Sequence, residues 1–300
     1  MKKKFFQPHR TLAFHLMLLP PLILLIIFSY VPMAGITMAF QNYQPGLGFL
    51  KSEWVGLDNF RYLFTLDHFG QILWNTLFIA FLKIIGNIIV PIGFALLLNE
   101  VKNKHFKKAV QTITYLPYFL SWVVFAGVLR DFLAPAGPLN QMIEAFGGSS
   151  VYFLGNPSTF PYTMAVTDIW KNFGFNTIVY LAALTGIDPN LYEAAAVDGA
   201  NRWKQTIHIT LPGIAAIVAL MTILAIGNIM NAGFDQIFNL YSPMVYTTGD
   251  ILDTFVYRLG ILDAQYSVST AAGLFKSVVS LILISASYKV ADKYAGYRVF

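Results

Sequence analysis

Residues 193–212 read EAAAVDGANRWKQTIHITLP. The stretch is polar and charged, yet it lies between two long apolar segments, one ending near Ala183 and the next beginning near Pro212. A connection this long in a membrane chain carries structure or function of its own. Asp188 before Pro189 reads as a helix N-cap followed by proline at the first helical position. Leu191 to Val197 are good helix formers, with three consecutive alanines. Gly199 then supplies a turn at little conformational cost. Asn201 to Ile209 fits a second short helix, with Leu211-Pro212 stopping it and opening the next apolar segment. The sequence therefore predicts two short helices joined by a glycine elbow.

The surrounding chain has 300 residues, of which 56% are hydrophobic and only 12% charged, and its mean hydropathy is +0.59. A soluble domain carries roughly 25% charged residues, so this is a polytopic membrane protein. Cysteine is absent, which excludes disulfides, a thiolate nucleophile and a Cys-based metal site. His9, His15, His68, His105 and His208 are scattered without ligand spacing, so no metal site is expected. No Gly-x-x-x-x-Gly-Lys-[Ser/Thr] phosphate loop occurs, and there is no Gly-Lys pair at all. Energy from ATP would have to enter through another chain.

Six apolar segments are long enough for helices that cross a bilayer, at about 20 residues each: residues 12–40, 72–98, 109–129, 160–184, 212–234 and 267–291. Pro20, Pro21 and Pro32 are expected to bend the first, and Pro117 to kink the third. The basic opening (Lys2, Lys3, Lys4, Arg10) mimics a secretory signal. Its apolar run is too long for one and lacks a small-residue cleavage site, so the segment reads as a retained helix. The expectation is an all-α membrane protein, one domain over 1–300, with both termini on the same side. Lysine and arginine choose that side. The amino end, the loop 102–108, the loop 188–212 and the tail together carry thirteen, against four at Lys51, Arg61, Arg130 and Arg258. Both termini and the 193–212 stretch are thus expected in the cytoplasm. The net charge of +5 follows from this one-sided excess, so nucleic acid is not the partner; membrane lipid is.

Polar groups inside spans are the remaining signal, since an ionisable side chain at mid-bilayer costs about 2.5–3.5 kcal/mol on insertion scales. Asp168 and Lys171 are three apart, share a helix face and are expected to pair, with Asn172 and Asn176 continuing near that face. Asn228, Asn231 and Asp235, spaced three and four, form a polar stripe near the outer end of the fifth span. Two readings stand. The stripes line a path for a polyhydroxylated solute, matched by amide and carboxylate hydrogen bonding, or they hold the bundle together through interhelical hydrogen bonds. Lys83 and Lys276 either pair internally or snorkel. The aromatic residues read as packing and interface belt, including Trp170, Phe173 and Phe175 beside the polar face.

The spacing Glu193-Ala194-Ala195, Gly199, Ile209, Leu211-Pro212 resembles the "EAA" signature of the membrane permease subunits of binding-protein-dependent ABC importers, with no departure. Asp198-Gly199-Ala200 fits the carbohydrate-importing branch. The stretches Gly56–Phe60, Gly233–Phe238 and Asp253–Arg258 are also similar to elements of that branch. The resemblance implies a type I ABC importer permease fold in a bacterial cell membrane. It implies that the loop 188–212 is a coupling helix docking in a cleft of a separate ATPase. Glu193 would pair there with a basic residue, Ala194 and Ala195 would pack closely, and Gly199 would reverse the chain. Arg202, with Trp203 and Lys204, would add contacts at the rim, Trp203 being equally readable as an interfacial anchor. ATP and magnesium would bind the ATPase dimer, with no cofactor in this chain. A second permease and an extracytoplasmic solute-binding protein complete the implied assembly, and the implied cargo is a sugar or oligosaccharide. Alternatives are another small polar solute, an ion-coupled secondary transporter and a membrane-embedded enzyme.

Overall fold

The structure, a computed structural model, describes residues 8–295. Lys2 to Lys4 and Arg298, counted above for orientation, lie outside the described residues. The chain divides into two units: residues 1–66 with 256–274, and residues 67–255 with 275–300.

In the first unit, α1 (Pro8–Leu25) runs through Pro20 and Pro21 without a break. It continues as a π turn at Ile26–Tyr30 and a 3-10 stretch at Val31–Phe40. The π turn ends two residues before Pro32, and the intervening Val31 N–H bonds the Ile26 carbonyl. That wider turn makes room for a ring that would clash in a regular α-helix. The apolar side chains from Phe14 to Val31 are exposed. Beyond α1, β1 (Gln41–Asn42) pairs antiparallel with β2 (Glu53–Trp54). Asn59 in α2 (Asp58–Thr65) donates to the carbonyls of Ala39 and Gln41, both at 2.9 Å. The Gly56–Phe60 element therefore clasps α2 onto the end of the first long helix.

The second unit is built around α3 (Phe69–Glu100), 32 residues and about 48 Å long at 1.5 Å per residue. It is followed by α4 (Lys104–Tyr115), α5 (Trp122–Phe132) and α6 (Pro138–Ala145). The long α7 (Phe160–Thr185) lies against α3 so closely that a Cβ at Gly86 would sit 2.0 Å from Ile169 Cδ1. Then come α8 (Pro189–Val197), α9 (Arg202–Gln205), α10 (Leu211–Gly227) and α11 (Phe234–Leu240), while α12 (Leu252–Tyr257) and α13 (Tyr266–Ala295) belong to this unit only up to residue 255 and from residue 275. The core has two parts along α7. Near one end Ile79, Phe125, Leu129, Phe160, Met164, Ile237 and Ile251 pack together; near the other, Ala95, Tyr180, Leu184 and Ile214 do.

Among the described residues, four helical rods are long and apolar enough to cross a membrane: Phe14–Phe40, Phe69–Glu100, Arg202–Gly227 and Tyr266–Lys289. A fifth counts if Lys104–Phe119 and Trp122–Phe132, which meet at 105°, form one bent span. The expected third span at 109–129 is therefore not a kinked rod. Pro117 closes a short 3-10 turn, Leu120 is extended, and Ser121 caps a new helix by accepting from the Val124 N–H at 3.3 Å. The expected fifth span at 212–234 is also corrected at both ends. It begins at Arg202, because a π turn at Thr206–Thr210 carries the helix straight through Leu211-Pro212. It ends at Gly227, and the chain stays non-helical to Gly233, whose φ is +96°. α7 has the length of a span at 26 residues but carries Asp168, Lys171, Asn172 and Asn176 within it.

Candidate functional site

The two helix breaks organise the polar groups of the second unit. A break leaves carbonyl oxygens without intrahelical donors, and in each case a lysine from a neighbouring helix supplies them. Lys171 Nζ donates to the carbonyls of Pro117 and Tyr118 at 3.2 and 2.8 Å. It also lies 5.5 and 5.4 Å from the ring centroids of Tyr118 and Trp122, within cation–π range. Lys83 Nζ donates to the Ala232 carbonyl at 2.6 Å and to Gln236 Oε1, and stands 3.6 Å from Asp168 Oδ1.

The expected Asp168–Lys171 pair is thus not made. Sharing a helix face brought them near, but the freed carbonyls at 117–118 drew Lys171 away, and Asp168 found Lys83 across the helix packing. Asp168 Oδ2 also accepts from Asn87 at 2.9 Å, and Asn87 Oδ1 accepts from Asn176 at 3.1 Å. Gln236, fully buried, closes the other end by donating to the Met164 carbonyl and Thr167 Oγ1 at 2.9 and 2.8 Å. One continuous chain of hydrogen bonds therefore links α11, α3 and α7. A second runs from Asp253 through Lys276 to Asn231 and on to Asn228 at 3.5 Å.

Both chains border a cavity of about 250 Å³ between α3, α7 and the end of α10. Of the sequence-derived path residues, Asp168, Asn176, Asn228 and Asn231 line it; Lys171, Asn172 and Asp235 do not. Asn228, Asn231 and Asp235 are not one helical stripe, since the helix has ended before them. The Tyr180 hydroxyl lines the same cavity, is buried and has no hydrogen-bond partner. Sequence reasoning assigns no path role to Asn87 or Tyr180, and notes Gln236 and Asp253 only within the stretches Gly233–Phe238 and Asp253–Arg258. Asn87 was the most accessible of these, lying one helical turn after Lys83 in an otherwise apolar run.

A second site is the loop at 188–212. Asp188 caps α8 by accepting from the Asn190 N–H at 3.0 Å, with Pro189 in the first turn. The helix ends in a Schellman arrangement. Ala200 N–H bonds the Ala195 carbonyl at 2.8 Å, Gly199 N–H bonds the Ala196 carbonyl at 3.1 Å, and Gly199 takes φ +75°. Asn201 caps α9 through the Lys204 N–H at 2.9 Å. No residue of α8 is buried. Glu193, Ala194, Val197, Asp198, Gly199 and Trp203 are exposed, as are Leu211 and Pro212, while Ala195 is half-buried. Within the loop, α8 is tied to the rod by Tyr192 Oη and Thr210 Oγ1 at 3.0 Å, and the loop is held to the end of α3 by an ion pair of Arg202 with Glu100. Arg202 therefore has a partner within the chain.

Residues 89–295 match the family described as "Binding-protein-dependent transport system inner membrane component". The chain belongs to this family. The permease is 45% identical over 287 residues to the polygalacturonan/rhamnogalacturonan transport system permease protein YteP of Bacillus subtilis, covering 95% of this chain and 89% of that one. Its fold is similar to a crystal structure of a bacterial ABC transporter involved in the import of the acidic polysaccharide alginate. The TM-score is 0.87 at 41% identity, over 95% of this chain and 97% of that chain. The same likeness holds for the alginate transporter in complex with an alginate pentasaccharide-bound periplasmic protein, with TM-score 0.86 and 40% identity over 95% and 96% of the two chains. The permease is a membrane-embedded transport subunit and not an enzyme.

Proposed function

We propose that this permease imports an oligosaccharide, handed over by an extracytoplasmic binding protein and driven by a cytoplasmic ATPase dimer that docks on α8. In this reading α7 and the bent pair α4–α5 are spans, so six cross the membrane and both termini are cytoplasmic. A second permease covers the open side of the cavity. Asp168, Asn176, Asn228 and Asn231, joined by Asn87 and Tyr180, border the solute path. The uronate-rich cargoes in the names of the similar transporters favour an acidic oligosaccharide.

The observation that carries the coupling reading is the bareness of α8. A helix with N-cap, proline, Schellman end and elbow is fully built, yet it buries none of its residues, and Leu191, Val197 and Trp203 present apolar surface at 52, 88 and 71% exposure. Such a preformed, unpacked element is suited to a cleft on a partner. Glu193, exposed on it, would meet a basic group there in a charge-assisted bond. Nucleotide-driven closure of the ATPase dimer would move the elbow, and with it the rod α9–α10 and, through Glu100–Arg202, α3.

The test is purification of the assembled complex in gentle detergent. Wild-type chain is expected to bring an ATPase and a second permease. Glu193→Arg is expected to lose the ATPase while keeping the second permease. Retention of both subunits by the variant, with normal uptake, would remove α8 from the coupling role.

A further inference from the structure

We propose that Lys276 reads the charge of the cargo, taking a carboxylate of an oligouronate in exchange for Asp253. The inference rests on the oligosaccharide reading above and names the group that selects an acidic member of that class.

Donor accounting separates Lys83, Lys171 and Lys276. An ammonium offers three N–H donors. Lys171 is engaged by two carbonyls and lies over two aromatic rings, and it does not line the cavity. Lys83 lines the cavity, but its three directions go to Ala232, Gln236 and Asp168. Moving Lys83 would strip the donor from a broken helix end and from a fully buried amide, so it is a fixture. Lys276 differs. It has two acceptors, Asp253 Oδ1 and Asn231 Oδ1, which leaves one N–H without a protein partner.

Position agrees with the accounting. Lys276 and Asp253 do not line the cavity themselves, but Asn231 does, and Lys276 bonds it from directly behind. The side chains of Lys276 and Asp253 are 17 and 21% exposed, so an arriving anion can reach the pair. In the exchange a cargo carboxylate replaces the Asp253 carboxylate on the same ammonium, and the Asp253 side chain, 21% exposed, is released toward solvent. A neutral sugar offers only hydroxyls, which cannot displace a carboxylate from an ammonium on equal terms. Asn228 and Asn231 then serve hydroxyls beside the carboxylate.

The decisive comparison is between the two halves of the ion pair. The complete complex, with its ATPase and binding protein, is reconstituted in proteoliposomes and supplied with radiolabelled trigalacturonate or galactotriose. Losing one charge-assisted bond should lower trigalacturonate uptake by Lys276→Gln about tenfold or more, with Lys276→Arg recovering most of it. Asp253→Asn should lower the trigalacturonate concentration needed for half-maximal uptake, because the competing carboxylate is gone. Lys276→Gln/Asp253→Asn should stay as poor as Lys276→Gln. A merely structural pair predicts the opposite: both single variants equally damaged and the double restored. That pattern overturns the proposal, as does wild-type uptake of galactotriose in preference to trigalacturonate, which leaves the oligosaccharide reading standing. Wild-type uptake of neither sugar overturns both. Co-purification of the partner subunits with each variant separates failed assembly from failed recognition.

Discussion

Gly174→Ala should be among the most damaging single-methyl additions in the second unit, and Gly86→Ala should not, although the raw distances rank them the other way. A Cβ at Gly86 would lie 2.0 Å from Ile169 Cδ1, but that atom is the far end of a rotatable side chain whose own Cβ is 3.9 Å away. A Cβ at Gly174 would lie 2.2 Å from the Thr114 carbonyl oxygen and 2.6 Å from its carbon, which are backbone. Reaching even 3.4 Å would require α7 and α4 to separate by about 1.2 Å. The same movement would stretch Lys171 off the Tyr118 carbonyl, now at 2.8 Å, and open the stacked Tyr118–Phe175 pair at 3.9 Å. Overpacking costs about 1–3 kcal/mol, and a hydrogen bond to a charged group adds roughly 1.5–3 kcal/mol. The expected total for Gly174→Ala is then about 2.5–6 kcal/mol, against at most about 1 kcal/mol for Gly86→Ala. Thermal unfolding of the purified complex in lipid nanodiscs reads the difference. Equal midpoints, or a lower one for Gly86→Ala, would refute the view that α7 rests on the backbone of α4.

Two further outcomes follow from the ion pairs. Lys83→Met leaves Asp168, the Ala232 carbonyl and Gln236 without their cation, and should destabilise the permease by about 3–5 kcal/mol, with Lys83→Met/Asp168→Asn recovering part of it; the unfolding midpoint measures both. Glu100→Arg and Arg202→Glu should each leave stability nearly unchanged, because an exposed pair is worth about 0–1 kcal/mol. Each should nonetheless lower the solute carried per ATP hydrolysed, and the exchanged double variant should restore it. Unaltered stoichiometry in the single variants would show that α3 does not move with the elbow.

What the sequence made legible was local. The elbow at 188–212 follows from Asp188, Pro189, Gly199 and Asn201, each acting within a few residues, and the apolar runs that became α3, α7 and α13 follow from composition and length. What it concealed was distant or ambiguous. Spacings of three and four at Asn228, Asn231 and Asp235 suit a helix stripe and a loop equally, and only the backbone at Gly233 distinguishes them. Gln236 is 153 positions from the Lys83 it serves, and Glu100 is 102 from Arg202. Lys171 could be assigned to Asp168 on one helix wheel because the competing acceptors, the carbonyls of Pro117 and Tyr118, exist only where the third span fails to continue.

The π turn at Thr206–Thr210 has a consequence for phase. It fits one extra residue into a continuous rod, and one residue is worth about 100° around an α-helix. Angular position counted upward from the membrane through Leu211 is therefore out of step with the count taken downward from Asn201. Trp203 and the elbow it adjoins point in a direction set by the turn and not by the pattern of α10. The segment that bears Trp203 and the elbow and the segment that lines the cavity are indexed independently, though they share one axis.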